Sequence, residues 1–297
     1  MKKLIILFAL ALAVQANVFA QKSKKAVKAP AGFEFIPMGT FEYNQEAVST
    51  DAFFICNHEV SNKEYRAFLS DLKGRDAEMY SKCLPDSTLW VKLFEYVYNE
   101  PYVAHYHNHP AYADYPVCNI TYNAALEYCK WLTEKHNANP KNAKGEFRLP
   151  SEYEWVMAAR GTNSSWIYAW DTPYLRDKKG AFMANFYPLS SENIKRNKET
   201  GKPEIATTIG KSGKEQHSVN PQWDGYYITS PVTSYSKNLF GLYNMCGNVA
   251  EMVDGGTITK GGSWHCPGYD IRVDVVKSLP IPSPVVGFRV VFVPVVN

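Results

Sequence analysis

Two long stretches without a helical or strand period constrain this chain most strongly. Residues 75–115 are dominated by Tyr, Pro, Asn and His, and residues 185–250 read mostly as loop with a few ordered islands. The whole chain contains 18 Gly and 18 Pro among 297 residues. Because Gly and Pro are typical of turns and loops, the sequence predicts one domain that is rich in ordered loops.

Helix starts are the clearest local signals. Two capping boxes are present, Ser61 with Glu64 and Ser151 with Glu154. A capping box satisfies backbone N–H groups at a helix start, so a helix is predicted after each serine. Gly74 and Gly161 are the predicted C-terminal ends of these helices. A third helix is predicted in "YNAALEYCKWLTEKH", with Cys129 on its apolar face.

Strands are predicted from alternating or continuous apolar residues. Residues 31–44 alternate and end in turn residues, which indicates a strand or hairpin, and residues 51–60 indicate a second strand. Val285 to Val295 is nearly continuous apolar sequence, which is typical of a central, buried strand.

The first twenty residues predict a secretory signal peptide. Lys2 and Lys3 form a positive start, Leu4 to Val14 form a short apolar run, and small residues precede a cleavage point after Ala20. The apolar run is too short to span a bilayer. We therefore expect an exported chain in the periplasm, associated with an outer membrane, or secreted, with no integral membrane segment and no lipid anchor after cleavage.

Charge excludes one class of partner. The formal net charge is only +3, so nothing in the composition predicts nucleic-acid binding. Residues 21–32 contain several lysines and predict a flexible, solvated basic arm. A contact of this arm with anionic lipid or an acidic partner is the alternative.

Six cysteines follow the signal segment: Cys56, Cys83, Cys118, Cys129, Cys246 and Cys266. An even number in an exported chain permits disulfides, but no pairing is assigned and no spacing predicts a zinc site. Residues 105–109, "HYHNH", place three histidines at alternate positions. On a strand these would share a face and could bind a metal, whereas the simpler interpretation is an aromatic loop with surface histidines.

Seven motifs occur in a fixed order along the chain: "FEFIPMGTF", "HEVSNKEYRAFL", "PVCNITYNAALEYCKWL", "FRLPSEYEWVMAARG", "NLFGLYNMCGNVAEM", "KGGSW" and "GFRVV". In this order they resemble the formylglycine-generating enzyme, or sulfatase-modifying factor, family. The resemblance implies a single α+β domain over residues 33–297, an elaborated relative of the C-type lectin fold with little regular secondary structure. Residues 84–117 also resemble a segment of the gliding-motility lipoproteins of the type IX secretion machinery, although this chain has no lipobox.

The family resemblance implies a copper site that this chain lacks in part. Catalytic members bind Cu(I) through two thiolates on one strand, and the matching positions here are Cys266 and Ile271. Isoleucine has no ligand atom, and Cu(I) is well held by two thiolates. His265 is expected to point to the opposite face of the strand, and rescue by Cys246 or the 105–109 loop is the alternative. Bound copper is therefore not expected, and Cys266 is predicted to be buried or disulfide-bonded.

The same resemblance implies two structural calcium ions. The first set of matching positions is Asn185, Phe186, Asp224 and Tyr226, and the second is Asn244, Gly247, Val249 and Glu251. Each set offers side-chain oxygens and backbone carbonyls, which are the ligands that calcium prefers. Each set contains one carboxylate, which predicts modest affinity suited to calcium-rich exterior compartments. The alternative is that Glu251 and Asp224 are ordinary turn residues.

The leading functional hypothesis is a non-catalytic envelope protein that binds or scaffolds other proteins, linked to type IX secretion or gliding motility. Tyr98, Tyr102 and Tyr106 are the predicted contact residues, because Tyr is favoured at interfaces. One rival is a copper oxidase that converts a cysteine of a client protein to formylglycine. The other is a carbohydrate-binding module, although no Glu-Pro-Asn or Gln-Pro-Asp sugar motif is present.

Overall fold

A computed structural model describes residues 28–93, 100–188, 194–201, 203–205, 208–209, 215–216, 226–278 and 280–295. The predicted signal peptide over residues 1–20, most of the basic arm, Tyr98 and Asp224 lie outside the described residues. In the described part of the chain, no helix is both long and apolar enough to cross a membrane.

Within the described ranges, the α-helices lie before residue 161 and most of them are short: α1 (Asn62–Arg75), α2 (Ala77–Cys83), α3 (Leu89–Leu93), α4 (Glu100–His105), α5 (Tyr122–Ala138) and α6 (Glu152–Arg160). Both predicted capping boxes are confirmed, since Ser61 and Ser151 each accept a hydrogen bond from the backbone of the glutamate three residues on. Gly161 ends α6 as predicted, with a positive φ of 63°.

The predicted end of α1 at Gly74 is wrong by one residue, because a different residue stops the helix. Asp76 adopts an extended backbone with φ −149°, which ends α1 after Arg75. The Asp76 side chain then accepts a hydrogen bond from the Met79 backbone and caps α2. One aspartate thus separates two helices where the sequence predicted a helix followed by a long loop.

The strands are short: β1 (Phe33–Ile36), β2 (Gly39–Tyr43), β3 (Glu46–Thr50), β4 (Phe53–Cys56), β5 (Gly145–Arg148), β6 (Ile194–Arg196), β7 (Pro203–Ile205), β8 (Thr208–Ile209), β9 (Glu215–Gln216), β10 (Ala250–Met252), β11 (Thr259–Lys260), β12 (Val286–Gly287) and β13 (Val291–Pro294). The main sheet is antiparallel with the order β1-β4-β13-β5. A second sheet has the order β11-β10-β12, and β10 and β12 are parallel.

The predicted strand from Val285 to Val295 is two strands in two sheets. β12 pairs with β10, whereas β13 lies between β4 and β5. Between them the backbone bonds the 56–60 segment instead, with Val290 accepting from Cys56 at 2.9 Å and Phe288 accepting from Val60 at 2.9 Å. Burial is confirmed for β12 and for the first half of β13, but only β13 is central in its sheet. The sequence did not show the break, because the apolar run continues through it.

Residues 75–115 are not the irregular loop that their composition predicted. They contain α2, α3, α4 and a 3₁₀ turn over Pro110–Tyr112, although residues 94–99 lie outside the described part. Helices of five to seven residues are too short to display a clear period. Aromatic side chains of this segment, including Trp90 and Tyr106, pack with Trp264 and Ile228 into a third, smaller core.

Two larger clusters form the main interior. One packs the aromatic faces of α1 and α5 against the main sheet, with Phe68, Tyr128 and Phe292 among its members. The other surrounds α6 and contains Trp155, Cys246, Cys266 and Ile271. The second cluster therefore holds the residues that the family resemblance assigns to copper chemistry.

Candidate functional site

Cys266 lies in a turn, not on a strand as the sequence predicted. The chain leaves β11 through Gly261 and Gly262, whose φ angles of 81° and 63° suit glycine. The Cys266 backbone N–H then bonds the Ser263 carbonyl at 2.9 Å, and the Ser263 Oγ lies 3.3 Å from the Cys266 Sγ. The strand rule that assigned His265 to the opposite face therefore does not apply here.

Ile271 occupies the second copper-ligand position as an interior residue. Its side chain is 0% exposed and belongs to the same apolar cluster as Cys266. A Cβ atom on Gly262 would lie 2.9 Å from the Ile271 Cγ2, so Ile271 packs directly beneath the glycine turn. Hydrocarbon thus fills the place where the catalytic chemistry needs a sulfur.

The six cysteines are all buried free thiols. The disulfides that the even cysteine count permitted are therefore not formed. Cys266, predicted to be either buried or disulfide-bonded, is buried as a free thiol. Cys246 is committed elsewhere, because its Sγ accepts a hydrogen bond from the Ala169 backbone at 3.4 Å. Across the described residues, no group of three or more His, Cys, Asp or Glu side chains could hold a metal.

Aromatic side chains lie beside the Cys266 turn. Tyr269, three residues after Cys266, is 65% exposed. The Tyr187 N–H donates to the Cys266 carbonyl at 2.8 Å, and the Tyr187 ring lies 6.1 Å from the His265 ring. We call Tyr187, His265 and Tyr269 the aromatic rim. Such side chains are favoured in protein interfaces, so the rim is suited to contact with another molecule.

The first predicted calcium set contains an oxygen without a partner. The Asn185 side chain is fully buried and its Nδ2 donates to the Ile228 carbonyl at 2.8 Å, but its Oδ1 has no hydrogen-bond partner among the described residues. A buried acceptor without a donor is costly, and a hard cation would satisfy it. Phe186, the next residue, is also buried. The structure describes Tyr226 but not Asp224, the carboxylate of this set, so calcium here stays a prediction.

The second predicted calcium set is built around an ion pair. Glu251 is 1% exposed and receives Arg289 on both carboxylate oxygens, at 2.6 and 2.7 Å, together with the Trp155 indole N–H at 2.8 Å. Arg289 therefore already neutralises the one carboxylate of this set, and the arrangement does not fit an additional calcium ion well. Calcium at this set also stays a prediction.

The other members of the second set hold backbone segments together. Gly247 donates its N–H to the Gly261 carbonyl at 2.8 Å. A Cβ atom on Gly247 would lie only 2.2 Å from the Asn185 carbonyl oxygen. Val249 is buried, and the Asn244 side chain donates to Glu59 at 3.1 Å. Gly247 thus permits the loops of the two predicted calcium sets to touch.

Glu59 is a buried carboxylate that the sequence analysis missed. It is fully buried, and it accepts hydrogen bonds from Asn244 at 3.1 Å and Asn248 at 2.9 Å. Burial raises the pKa of Glu59 to about 7, and the charge of Arg289 opposes that shift. No local signal marks this residue, because its partners lie nearly two hundred positions away along the chain.

Lys260, in β11, is a buried lysine whose surroundings predict a pH dependence of stability. Its Nζ donates to the Tyr43 hydroxyl at 2.9 Å and lies 3.4 Å from Glu152. Burial lowers the pKa of Lys260 to about 8, although Glu152 opposes the shift. Between that pKa and the ordinary value of 10.5, the unfolded chain binds more protons, so stability rises with pH.

We expect the free energy of unfolding of the native protein to rise, relative to that of Lys260→Met, by about 2 kcal/mol between pH 8 and 10. Urea titrations of both proteins at each pH measure this difference, and the other titrating groups are common to both. An equal pH response in the two proteins would show that Lys260 keeps its ordinary pKa.

The predicted contact residues of the 84–115 segment divide between surface and interior. Tyr106 is fully buried, and its hydroxyl donates to the Pro116 carbonyl at 2.8 Å, so its assignment as a contact residue is wrong. Tyr102 is only partly exposed. The three histidines do not lie on a strand either, because α4 ends at His105 and the chain then turns. The metal-binding alternative for them is not supported.

Comparison with known proteins agrees with the fold and the motif order. Residues 18–293 match the model of the sulfatase-modifying factor enzyme 1-like domain. The chain belongs to this family. It is a single domain of mixed helices and sheets with little regular secondary structure, as the motifs predicted.

Relatives of this sulfatase-modifying factor domain include proteins named as active and as inactive. The formylglycine-generating enzyme of Mus musculus is 25% identical over 230 residues, covering 69% of this chain and 49% of the mouse protein. The chain thus spans about half the length of that relative. A Bos taurus protein called inactive C-alpha-formylglycine-generating enzyme 2 is 26% identical over 139 residues, covering 46% of this chain and 32% of the cattle protein.

A solved structure supports the fold alone. The crystal structure of CarF superposes with a TM-score of 0.54 at 20% identity, and the match covers 90% of this chain and 99% of CarF. An identity this low carries no functional information, because one fold hosts many activities. Function has to be argued from the residues around Cys266.

Proposed function

We propose that this sulfatase-modifying factor domain is an exported, non-catalytic binding or scaffold protein of the cell envelope. The observation that carries the proposal is Ile271, which is fully buried where catalytic chemistry needs a second thiolate. The aromatic rim around Cys266 supports retention of this surface for contact. The resemblance of residues 84–117 to gliding-motility lipoproteins favours a partner linked to type IX secretion.

Copper chemistry does not fit the donor set. Cys266 offers one sulfur, its neighbour Ser263 offers a hydroxyl at 3.3 Å, and Ile271 offers no ligand atom. Cu(I) prefers soft sulfur ligands, and a hydroxyl is a poor substitute. An oxidase that makes formylglycine is the rival function, favoured by the names of the 25%-identical relatives and by the retained Cys266.

Copper binding decides between these functions. After incubation with Cu(I) and removal of excess metal, we expect the native protein to retain well under one equivalent. The variant Ile271→Cys is expected to retain about one equivalent, because it completes the pair of thiolates that holds Cu(I). A colorimetric Cu(I) chelator applied to the denatured protein measures the bound metal.

The control variants remove the Cys266 thiol. Cys266→Ser in the Ile271→Cys background is expected to lose the metal, which distinguishes the designed pair from adventitious binding to other cysteines. One equivalent of Cu(I) in the native protein that disappears in Cys266→Ser would favour the oxidase instead. Thermal unfolding of each variant verifies that the fold is retained.

A further inference from the structure

A groove with a volume of about 460 Å³ lies along α1, far in sequence from the Cys266 turn. One wall is α1 and the other is formed by the segments around residues 84–87 and 107–108. We call it the α1 groove. A volume of this size is typical of a ligand site, whose walls are mostly apolar with a few polar groups.

The charges that line the α1 groove have one sign. Arg66 and Lys73 line it, and its described lining contains no Asp or Glu. Asp86 and Asp71 adjoin the lining in sequence, and both carboxylates have other partners. Asp86 accepts from the Thr88 hydroxyl at 2.6 Å and the Thr88 N–H at 3.1 Å. Asp71 pairs with Arg75 at 3.0 Å and accepts from the Trp131 indole N–H at 2.7 Å. The groove is therefore complementary to a negatively charged ligand.

Arg66 and Lys73 are placed at opposite ends of an apolar strip. They are seven residues apart on α1, which corresponds to roughly 10 Å along the helix. Leu69 lies between them, and Leu84, which is exposed, lies on the other wall. A ligand that uses both cations thus carries two anionic groups about 10 Å apart, with an apolar group between them.

His107 provides an uncommitted acceptor in the lining. The Asn62 Nδ2 donates to the carbonyls of Tyr106 at 3.1 Å and Tyr112 at 3.0 Å, so its Oδ1 faces His107 Nδ1 at 3.2 Å. Nδ1 must therefore carry the ring proton, and Nε2 is an acceptor. Nε2 is buried and has no hydrogen-bond partner among the described residues. A ligand N–H that reached this buried nitrogen would satisfy it.

The spacing of the two cations favours a peptide as the ligand. In the polyproline II conformation, residues three apart share a face and are separated by about 9 Å. Two acidic side chains at such positions match the spacing of Arg66 and Lys73. The residues between them point away from α1, so they supply an apolar side chain for Leu84 and a backbone N–H for His107 on the opposite wall.

We propose that the α1 groove binds an extended segment of a partner protein that carries two carboxylates three residues apart with an apolar residue between them. The groove shares no lining residue with the 259–271 segment. The inference therefore does not depend on the outcome of the copper experiment, and it assigns a ligand class to a surface outside the family's copper chemistry.

The test is binding of a defined peptide to the full chain. The probe is fluorescein-labelled Gly-Glu-Pro-Leu-Glu-Gly amide, compared with the same peptide carrying Gln at both Glu positions. We expect the acidic peptide to bind at least about tenfold more tightly by fluorescence anisotropy, and added NaCl to reduce the difference. Equal affinity of the two peptides, or no binding of either, would overturn the proposal.

Two charge-reversal variants on α1 test whether the peptide binds in the α1 groove. Lys73→Glu is expected to weaken binding of the acidic peptide by about tenfold or more. Lys63→Glu is the matched control, since Lys63 is exposed on the same helix and lies outside the groove, and its effect is expected to be small. Equal effects of the two reversals would show that the peptide responds only to overall charge, and the groove assignment would fail.

Discussion

Replacing Arg289 by methionine is expected to lower the free energy of unfolding by about 3 to 5 kcal/mol. Arg289 is 0% exposed and binds both oxygens of Glu251. It also donates to the carbonyls of Cys56 at 3.2 Å and Tyr243 at 2.9 Å. Methionine would leave Glu251 charged in the interior, close to the second buried carboxylate, Glu59. Urea unfolding followed by tryptophan fluorescence measures the loss.

Two further variants test the reason for this loss. Arg289→Met combined with Glu251→Leu is expected to be more stable than the single variant, because it removes the uncompensated charge. Lys82→Met removes an exposed ion pair, in which the Lys82 Nζ lies 2.6 Å from the Glu78 Oε1, and is expected to change the free energy of unfolding far less, because water and salt screen exposed charges. If Arg289→Met costs no more than Lys82→Met, the ion pair does not hold this part of the domain together.

Replacing Gly247 by alanine is expected to lower the free energy of unfolding by about 3 kcal/mol or more. Two causes combine at this position. Its φ of 80° disfavours any side chain, and the new methyl would lie 2.2 Å from the Asn185 carbonyl oxygen. That oxygen also accepts the Asn248 N–H at 2.7 Å, so it cannot move without breaking a buried hydrogen bond. Thermal and urea unfolding measure the effect.

Gly180 separates the two causes. Its φ of 85° nearly equals that of Gly247, but no atom lies within 4 Å of a Cβ placed there. Gly180→Ala is therefore expected to lower the free energy of unfolding by only about 1 to 2 kcal/mol, the effect of placing a side chain at a positive φ. Similar losses for the two substitutions would mean that the loops carrying Asn185 and Gly247 separate easily.

The parts of the fold that the sequence predicted are those encoded by neighbouring residues. The capping boxes at Ser61 and Ser151 and the helix end at Gly161 each depend on residues within one or two turns, so a motif suffices to locate them. The family and the single α+β domain followed from the order of seven motifs. The same motifs located Ile271, which the structure places in the interior.

The missed features depend on distant contacts. Residues 75–115 contain several short helices. Aromatic side chains of this segment, including Tyr106, pack into a core that no periodic sequence pattern predicts. Arg289 interrupts an apolar run, but its partner Glu251 is 38 positions away. Glu59 and Lys260 also acquire their properties from residues far along the chain, such as Asn248 and Tyr43. A single sequence carries no signal for these pairings.

The order of strands in the main sheet has a consequence for how the protein reaches its native state. β13, at residues 291–294, separates β4, at residues 53–56, from β5, so the sheet closes only when two very distant segments meet. Closing such a loop is entropically slow, whereas the capped helices form from local contacts. We therefore expect the capped helices to form early and the main sheet to be completed late in folding, when β13 docks between β4 and β5.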